Sequence, residues 1–352
     1  MAGNFLTNGA GAVSSGQEDI NRVSGVVVAT GLTGSYSVGT DGRGTMQLVA
    51  STGSGTVFTA NYLLALDSAG NIHVIEDETT PTNGVGITHG SGIMKPAIGT
   101  FSAANFAGNY AFEFTGQDFL TEPTVLAGVV TADNSLNFSA GTADFNDGGV
   151  YSPLLNLTGN FSVGNANSKG LATMTFQPPT SAATTLTFTF YFVSSSDILF
   201  AEIDNSTTTS PLPRLSGEML LQNTTTQFNQ SVLQGSGVVT GTGLAGTGLA
   251  GSNSTVFAGL LVSPSGNGSA SLSYDQNDGG AISLLNSLSG TYQVLQNGRV
   301  GFTNLGNRLA AAYLTGPNQG FIIGSDSEMC IRDRFFSARH RCGRDAAPPE
   351  RS

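Results

Sequence analysis

The chain has no tryptophan, and both of its cysteines, Cys330 and Cys342, fall in the segment 327–352. Residues 1–326 therefore offer neither a disulfide framework nor a thiolate metal site. Charged residues make up only 11% of the chain, and 24 acidic against 13 basic side chains leave a net charge of -11. That balance excludes electrostatic binding to nucleic acid or to an anionic membrane surface. No run of about 18 apolar residues occurs, so no transmembrane helix is expected. Histidine is almost missing: before residue 327 there are only His73 and His89, and no G-x-S-x-G or H-E-x-x-H accompanies them. The lack of tryptophan also removes the favoured stacking platform for a sugar ring, leaving Tyr110, Tyr151 and Phe161 as substitutes.

Glycine (48 residues) is abundant, with Ser, Thr and Asn at most polar positions. Short alternating runs bounded by Gly, Asn and Asp replace any helical periodicity, which is an all-β signature. In Leu186–Val193, for example, Leu186, Phe188, Phe190 and Phe192 share one face. Asp41-Gly42 and Asn297-Gly298 are strong hairpin dipeptides. The two G-x-G-x-x-G matches at 241–246 and 246–251 precede another strand rather than a helix, and so read as a flexible Gly-rich segment, not a dinucleotide site.

Three stretches repeat one another. Asp19-Ile-Asn21, Asp144-Phe-Asn146 and Asp275-Gln-Asn277 are each followed, fifteen residues after the Asp, by the Gly of a Leu-[Thr/Ser]-Gly-x-[Tyr/Phe]-x-Val strand. An Ala-Gly pair lies upstream in register at Ala2, Ala127 and Ala258, giving periods of 125 and 131 residues. Such a period is too long for a solenoid coil and suits one small domain per repeat. Domains are accordingly expected at 1–98 (without its opening strand), 99–222 (complete) and 223–326 (truncated). The complete unit reads as eight sequential strands joined by tight turns. The expected fold is an antiparallel up-and-down barrel of the lipocalin or streptavidin kind, with a two-sheet β-sandwich as the alternative.

The motifs Thr131-Ala-Asp133…Asn137…Gly141, Gly34-x-Tyr36-x-Val38…Gly42-Arg43 and Phe200-x-Glu202-x-Asp204 resemble those of tandem β-domain repeats in large secreted bacterial proteins. The resemblance covers nearly all of residues 1–326 and implies an extracellular or cell-surface setting, with no activity attached. Ser327–Arg334 (SEMCIRDR) resembles translated sequencing-adapter read-through on a metagenomic gene fragment, so 327–352 is expected to be non-native or disordered.

In an eight-strand meander the ends of strands three and seven meet at one rim. That rim would gather Asp144, Asn146 and Asp147 with Glu202 and Asp204, a set of oxygens suited to Ca²⁺. The same residue types also build loops through side-chain-to-backbone hydrogen bonds, with no cation involved. On the opposite rim a basic residue recurs in all three repeats, at Arg43, Lys169 and Arg299, as either a partner contact or a solvated turn residue. The functional expectation is non-enzymatic: a spacer, adhesin or matrix segment whose partner is an extracellular polymer or surface ligand, with no cofactor beyond the candidate Ca²⁺. The alternatives are a small-ligand- or carbohydrate-binding barrel and, more remotely, a glycoside hydrolase using Glu113, Asp118 or Glu202.

Overall fold

The computed structural model describes residues 1–22, 25–53, 55–77, 90–97, 99–164, 169–179, 182–206, 212–223, 228–245, 253–306, 309–325 and 334–337. The chain is all-β. The first sheet holds β1 (Ala2–Thr7), β2 (Ala12–Arg22), β3 (Gly25–Val38), β4 (Arg43–Thr52), β5 (Gly55–Leu66), β6 (Ile72–Glu76) and β7 (Ser91–Met94), each paired with the next in an open half-barrel. The second holds β8 (Gly108–Gln117), β9 (Pro123–Ala132), β10 (Asn137–Asp147), β11 (Val150–Val163), β12 (Lys169–Phe176), β13 (Thr184–Ser194), β14 (Asp197–Glu202) and β15 (Arg214–Leu221). It is a closed antiparallel barrel, because β15 returns to pair with β8. Closure rules out the sandwich alternative.

The third sheet runs through β16 (Gly235–Ala245), β17 (Asn253–Ser263), β18 (Ser269–Asp278), β19 (Ala281–Val294), β20 (Arg299–Thr303), β21 (Ala311–Gly316) and β22 (Gln319–Ile323). A four-residue strand, β23 (Arg334–Ser337), spans the gap between β22 and β16 with two residue pairs to each. This strand comes from the segment set aside above as non-native or disordered. Seven strands of a meander leave two unpaired edges, and this short segment covers part of each.

Alternation decides what fills the middle barrel. Leu186, Phe188, Phe190 and Phe192 on β13 all point inward and are at most 2% exposed, as are Phe112 and Phe114 on β8. Phe106, just after a 3-10 turn (Ala103–Asn105), lies within ring-contact distance of Tyr110, Phe138, Phe161, Phe190, Phe192 and Phe200. The interior is thus packed with rings. Tyr110 and Phe161, weighed above as sugar platforms, belong to this core, with the Tyr110 hydroxyl donating to the Ser195 carbonyl at 2.7 Å.

Two turns follow one chemical recipe. Asp67 accepts from the amides of Ala69 and Asn71, and Asp133 from those of Ser135 and Asn137, so each carboxylate replaces part of the missing ladder. β10 and β11 run further than the sequence pattern suggests, meeting at a tight turn in which Gly148 and Gly149 have φ of 55° and 93°. Asp144 therefore sits inside β10, three residues before its end.

Candidate functional site

The repeated Asp-x-Asn residues do two jobs. The first is local. Leu154 and Leu285 bulge out of β11 and β19 with φ of 55° and 57°, a left-handed conformation that leaves their amides facing away from the ladder. Asp144 Oδ1 accepts the Leu154 amide at 2.6 Å, and Asp275 Oδ1 accepts the Leu285 amide at 2.6 Å. Asn146 Oδ1 and Asn277 Oδ1 take the amides of Gly149 and Gly280 at 2.9 and 2.8 Å, closing the hairpin.

The second job is between units. Asp144 Oδ2 receives Arg299 Nη2 at 2.8 Å and the Tyr151 hydroxyl at 2.8 Å, while Arg299 Nε lies 3.2 Å from both carboxylate oxygens. The Asp144 side chain is fully buried and that of Arg299 is 9% exposed. Burial alone would lower the Arg299 guanidinium, but the Asp144 charge outweighs it and the group is raised. One junction earlier, Asp19 Oδ2 receives Lys169 Nζ at 2.6 Å together with the hydroxyls of Thr189 and Tyr191 at 2.7 and 2.9 Å. Lys169 and Arg299 each open the fifth strand of their sheet, β12 and β20, and their cross-strand partners are Tyr191 and Tyr313. Burial raises both tyrosines well above the usual phenol range.

The neighbouring asparagine repeats the pattern. Asn21 Nδ2 donates to the Glu202 carbonyl at 3.1 Å, and Asn146 Nδ2 donates to the Gly324 carbonyl at 3.0 Å. Gly324 follows β22 at the place that Glu202 holds on β14. Each unit thus offers the wall of its first strands to the wall of the next unit's fifth to seventh strands, β12–β14 and β20–β22.

Apolar contact reinforces the second junction. Ala111, Val125, Ala127 and Val129 on β8 and β9 form one buried cluster with Ala311, Tyr313, Phe321 and Ile323 on β21 and β22. Gln222 Nε2 crosses the same junction to the carbonyls of Asn297 and Leu314 at 3.0 and 2.7 Å. At the first junction Lys95 Nζ reaches Asp197 and Glu218, both at 2.8 Å.

The expected calcium rim does not form. Asp144 and Asn146 on β10 serve the junction with the third sheet, whereas Glu202 and Asp204 lie at the junction with the first. Asp147 Oδ1 accepts from the Thr124 hydroxyl at 2.8 Å, and burial raises its carboxyl. Glu202 Oε2 accepts from Asn21 at 2.8 Å and Oε1 from the Asp204 amide at 2.7 Å; Asp204 Oδ2 accepts the Thr187 amide. The five residues split between two walls because β10 and β14 are separated by three strands around the barrel. No group of three or more His, Cys, Asp or Glu suited to a metal ion occurs among the described residues.

Burial pushes Glu202 up to about 8, against the downward pull of the Asp204 amide. Of the carboxylates weighed for hydrolysis, Glu113 faces Glu218 across β8 and β15, and Asp118 accepts the Glu122 amide within its own turn. His73 is exposed on β6, 3.5 Å from Asp67; His89 lies outside the described residues. A cleft of about 730 Å³ between the second and third sheets is lined by amides, including Asn109, Gln222, Gln230 and Asn297. Those four are engaged by protein groups, for instance Gln230 with the Tyr292 carbonyl and the Val294 amide.

Sequence reasoning found the recurring acids and bases but assigned them to opposite rims of one barrel. It missed Tyr191, Tyr313, Gln222 and Lys95 as junction residues. The signal that joins them is the fixed register of the two sets, which places an acid of one unit opposite a base of the next. The chain matches no protein-family model, and no curated protein sequence matches it.

Proposed function

We propose that this chain is a non-enzymatic structural segment of a secreted or cell-surface bacterial protein, in which β units lock wall to wall into a stiff spacer. The observation that carries the reading is the use made of the recurring charged residues: Asp19 with Lys169, and Asp144 with Arg299, are spent on contacts between units. The ring-packed interior of the middle barrel speaks against the lipocalin-like alternative, since Phe112, Phe114, Phe188, Phe190 and Phe192 take the space a ligand would need. A low charge fraction and a polar Ser/Thr/Asn surface suit an exposed setting.

Small-angle scattering tests stiffness. The full chain is expected to give a normalised Kratky profile that returns towards baseline, and Lys169→Glu with Arg299→Glu to raise its high-angle tail. A wild-type profile matching that of the doubly substituted chain would overturn the spacer reading.

A further inference from the structure

The two end walls of the chain carry the same elements as the walls already joined. Counting 131 residues on from the second sheet's share of the buried cluster gives Val256, Ala258 and Leu260 on β17; Val238 on β16 pairs with Leu260 as Ala111 pairs with Val129. Ala111, Val125, Ala127 and Val129 are at most 3% exposed, whereas Val238, Val256 and Leu260 are 40–47% exposed and Ala258 is exposed too. Beside them stands Asp275, exposed, its Oδ1 already holding the Leu285 amide as Asp144 holds that of Leu154.

The first sheet presents the other half. Arg43 opens β4 as Lys169 opens β12 and Arg299 opens β20, but its side chain is 81% exposed and rests on Asp41 of its own turn. By register, Leu63, Ala65, His73 and Ile75 occupy the positions of Ala311, Tyr313, Phe321 and Ile323. The latter four are at most 1% exposed, whereas Leu63 and Ile75 are 47% and 62% exposed.

We infer that the β16–β18 wall of one chain docks the β4–β6 wall of a second copy, pairing Asp275 with Arg43, so that chains join head to tail. The inference rests on the proposed wall-to-wall role of the units and names a partner for the two exposed outer walls. Opposite charge meets opposite charge, apolar strips meet on both sides, and the joint continues the geometry of the two internal junctions. The Asn277 amide would donate to the Glu76 carbonyl, as Asn21 does to that of Glu202 and Asn146 to that of Gly324. Because the two surfaces differ, the contact is heterologous, and it propagates rather than closing into a symmetric dimer.

Sedimentation velocity on the full chain over a wide concentration range tests this. The weight-average mass is expected to climb past that of one chain, and Arg43→Asp or Asp275→Arg alone to hold it at one chain by opposing like charges. Mixing the two variants restores complementary charge at every joint and is expected to restore assembly. Ile75→Lys, which leaves both charges and the Leu285 clamp intact, is expected to weaken assembly at least tenfold. A mass that stays at one chain at millimolar concentration overturns the inference, as does assembly indifferent to all three substitutions. Loss of assembly with an unchanged stiff scattering profile would remove this joint and leave the spacer reading standing.

Discussion

Replacing Asp144 by Asn removes one negative charge but keeps an Oδ1 for the Leu154 amide, so the local clamp survives while the junction loses its counter-ion. Arg299, only 9% exposed, is then left buried without compensation. Breaking one partner of such a pair costs about 3–5 kcal/mol, since the stranded charge keeps its desolvation penalty. Arg299→Gln strands the carboxylate instead, but the Tyr151 hydroxyl and Leu154 amide still donate to it, so about 1–3 kcal/mol is expected. The double variant replaces the ions by two neutral amides and should cost less than the sum, with a coupling energy of about 0.5–3 kcal/mol. Urea unfolding of the full chain, followed by far-ultraviolet circular dichroism and tyrosine fluorescence, measures all three. Losing the junction should also separate the unfolding of the third sheet from that of the second. Strict additivity, within about 0.5 kcal/mol, would refute the claim that this pair joins the units.

Two further outcomes follow from the same geometry. Glu202 is raised from 4.5 to about 8 by burial, so its contribution is fully present below pH 4.5 and lost as pH rises through 8. The melting temperature of the first junction should therefore rise as pH falls from 8 to 5, and Glu202→Gln should flatten that slope; identical slopes in both proteins would dismiss the assignment. Leu285, at φ of 57° with an 88% exposed side chain, holds left-handed backbone for no packing return. Relief of about 1–2 kcal/mol of strain outweighs the roughly 0.5–1 kcal/mol entropic cost of glycine, so Leu285→Gly should raise the urea midpoint, and a lowered midpoint would contradict this.

The fold was readable because local and global signals agree. Period-two alternation in Leu186–Val193 names the faces, and Asp133 and Gly298 mark turns through chemistry that acts within a few residues. The course of β11 was not readable: Pro153 and the left-handed Leu154 interrupt the pattern, although the strand continues through both. The junctions were legible only in part. Asp144 and Lys169 recur in register, so their importance shows in the sequence. Their partners lie in other units, 155 residues apart for Asp144 and Arg299, and no local rule connects positions so distant. The calcium reading failed for a related reason. It treated the oxygens as a set within one barrel, while packing between barrels had already claimed them.

The meander also orders events during synthesis. Within each sheet every strand pairs with its predecessor, and two seams wait for later strands: Gly108–Gln117 for Arg214–Leu221 in the middle barrel, and Gly235–Ala245 for Arg334–Ser337 in the third sheet. Loop closure across such a span is expected to be slow, because nearly all other pairings join adjacent segments. The Asp19 wall of the first sheet is complete before Lys169 leaves the ribosome, and Asp144 is in place before Arg299 does. Each nascent unit therefore meets a finished surface on the one before it. The acid-first, base-later order of the sequence lets a growing chain add its units in register and keeps its exposed strips from mispairing with later ones.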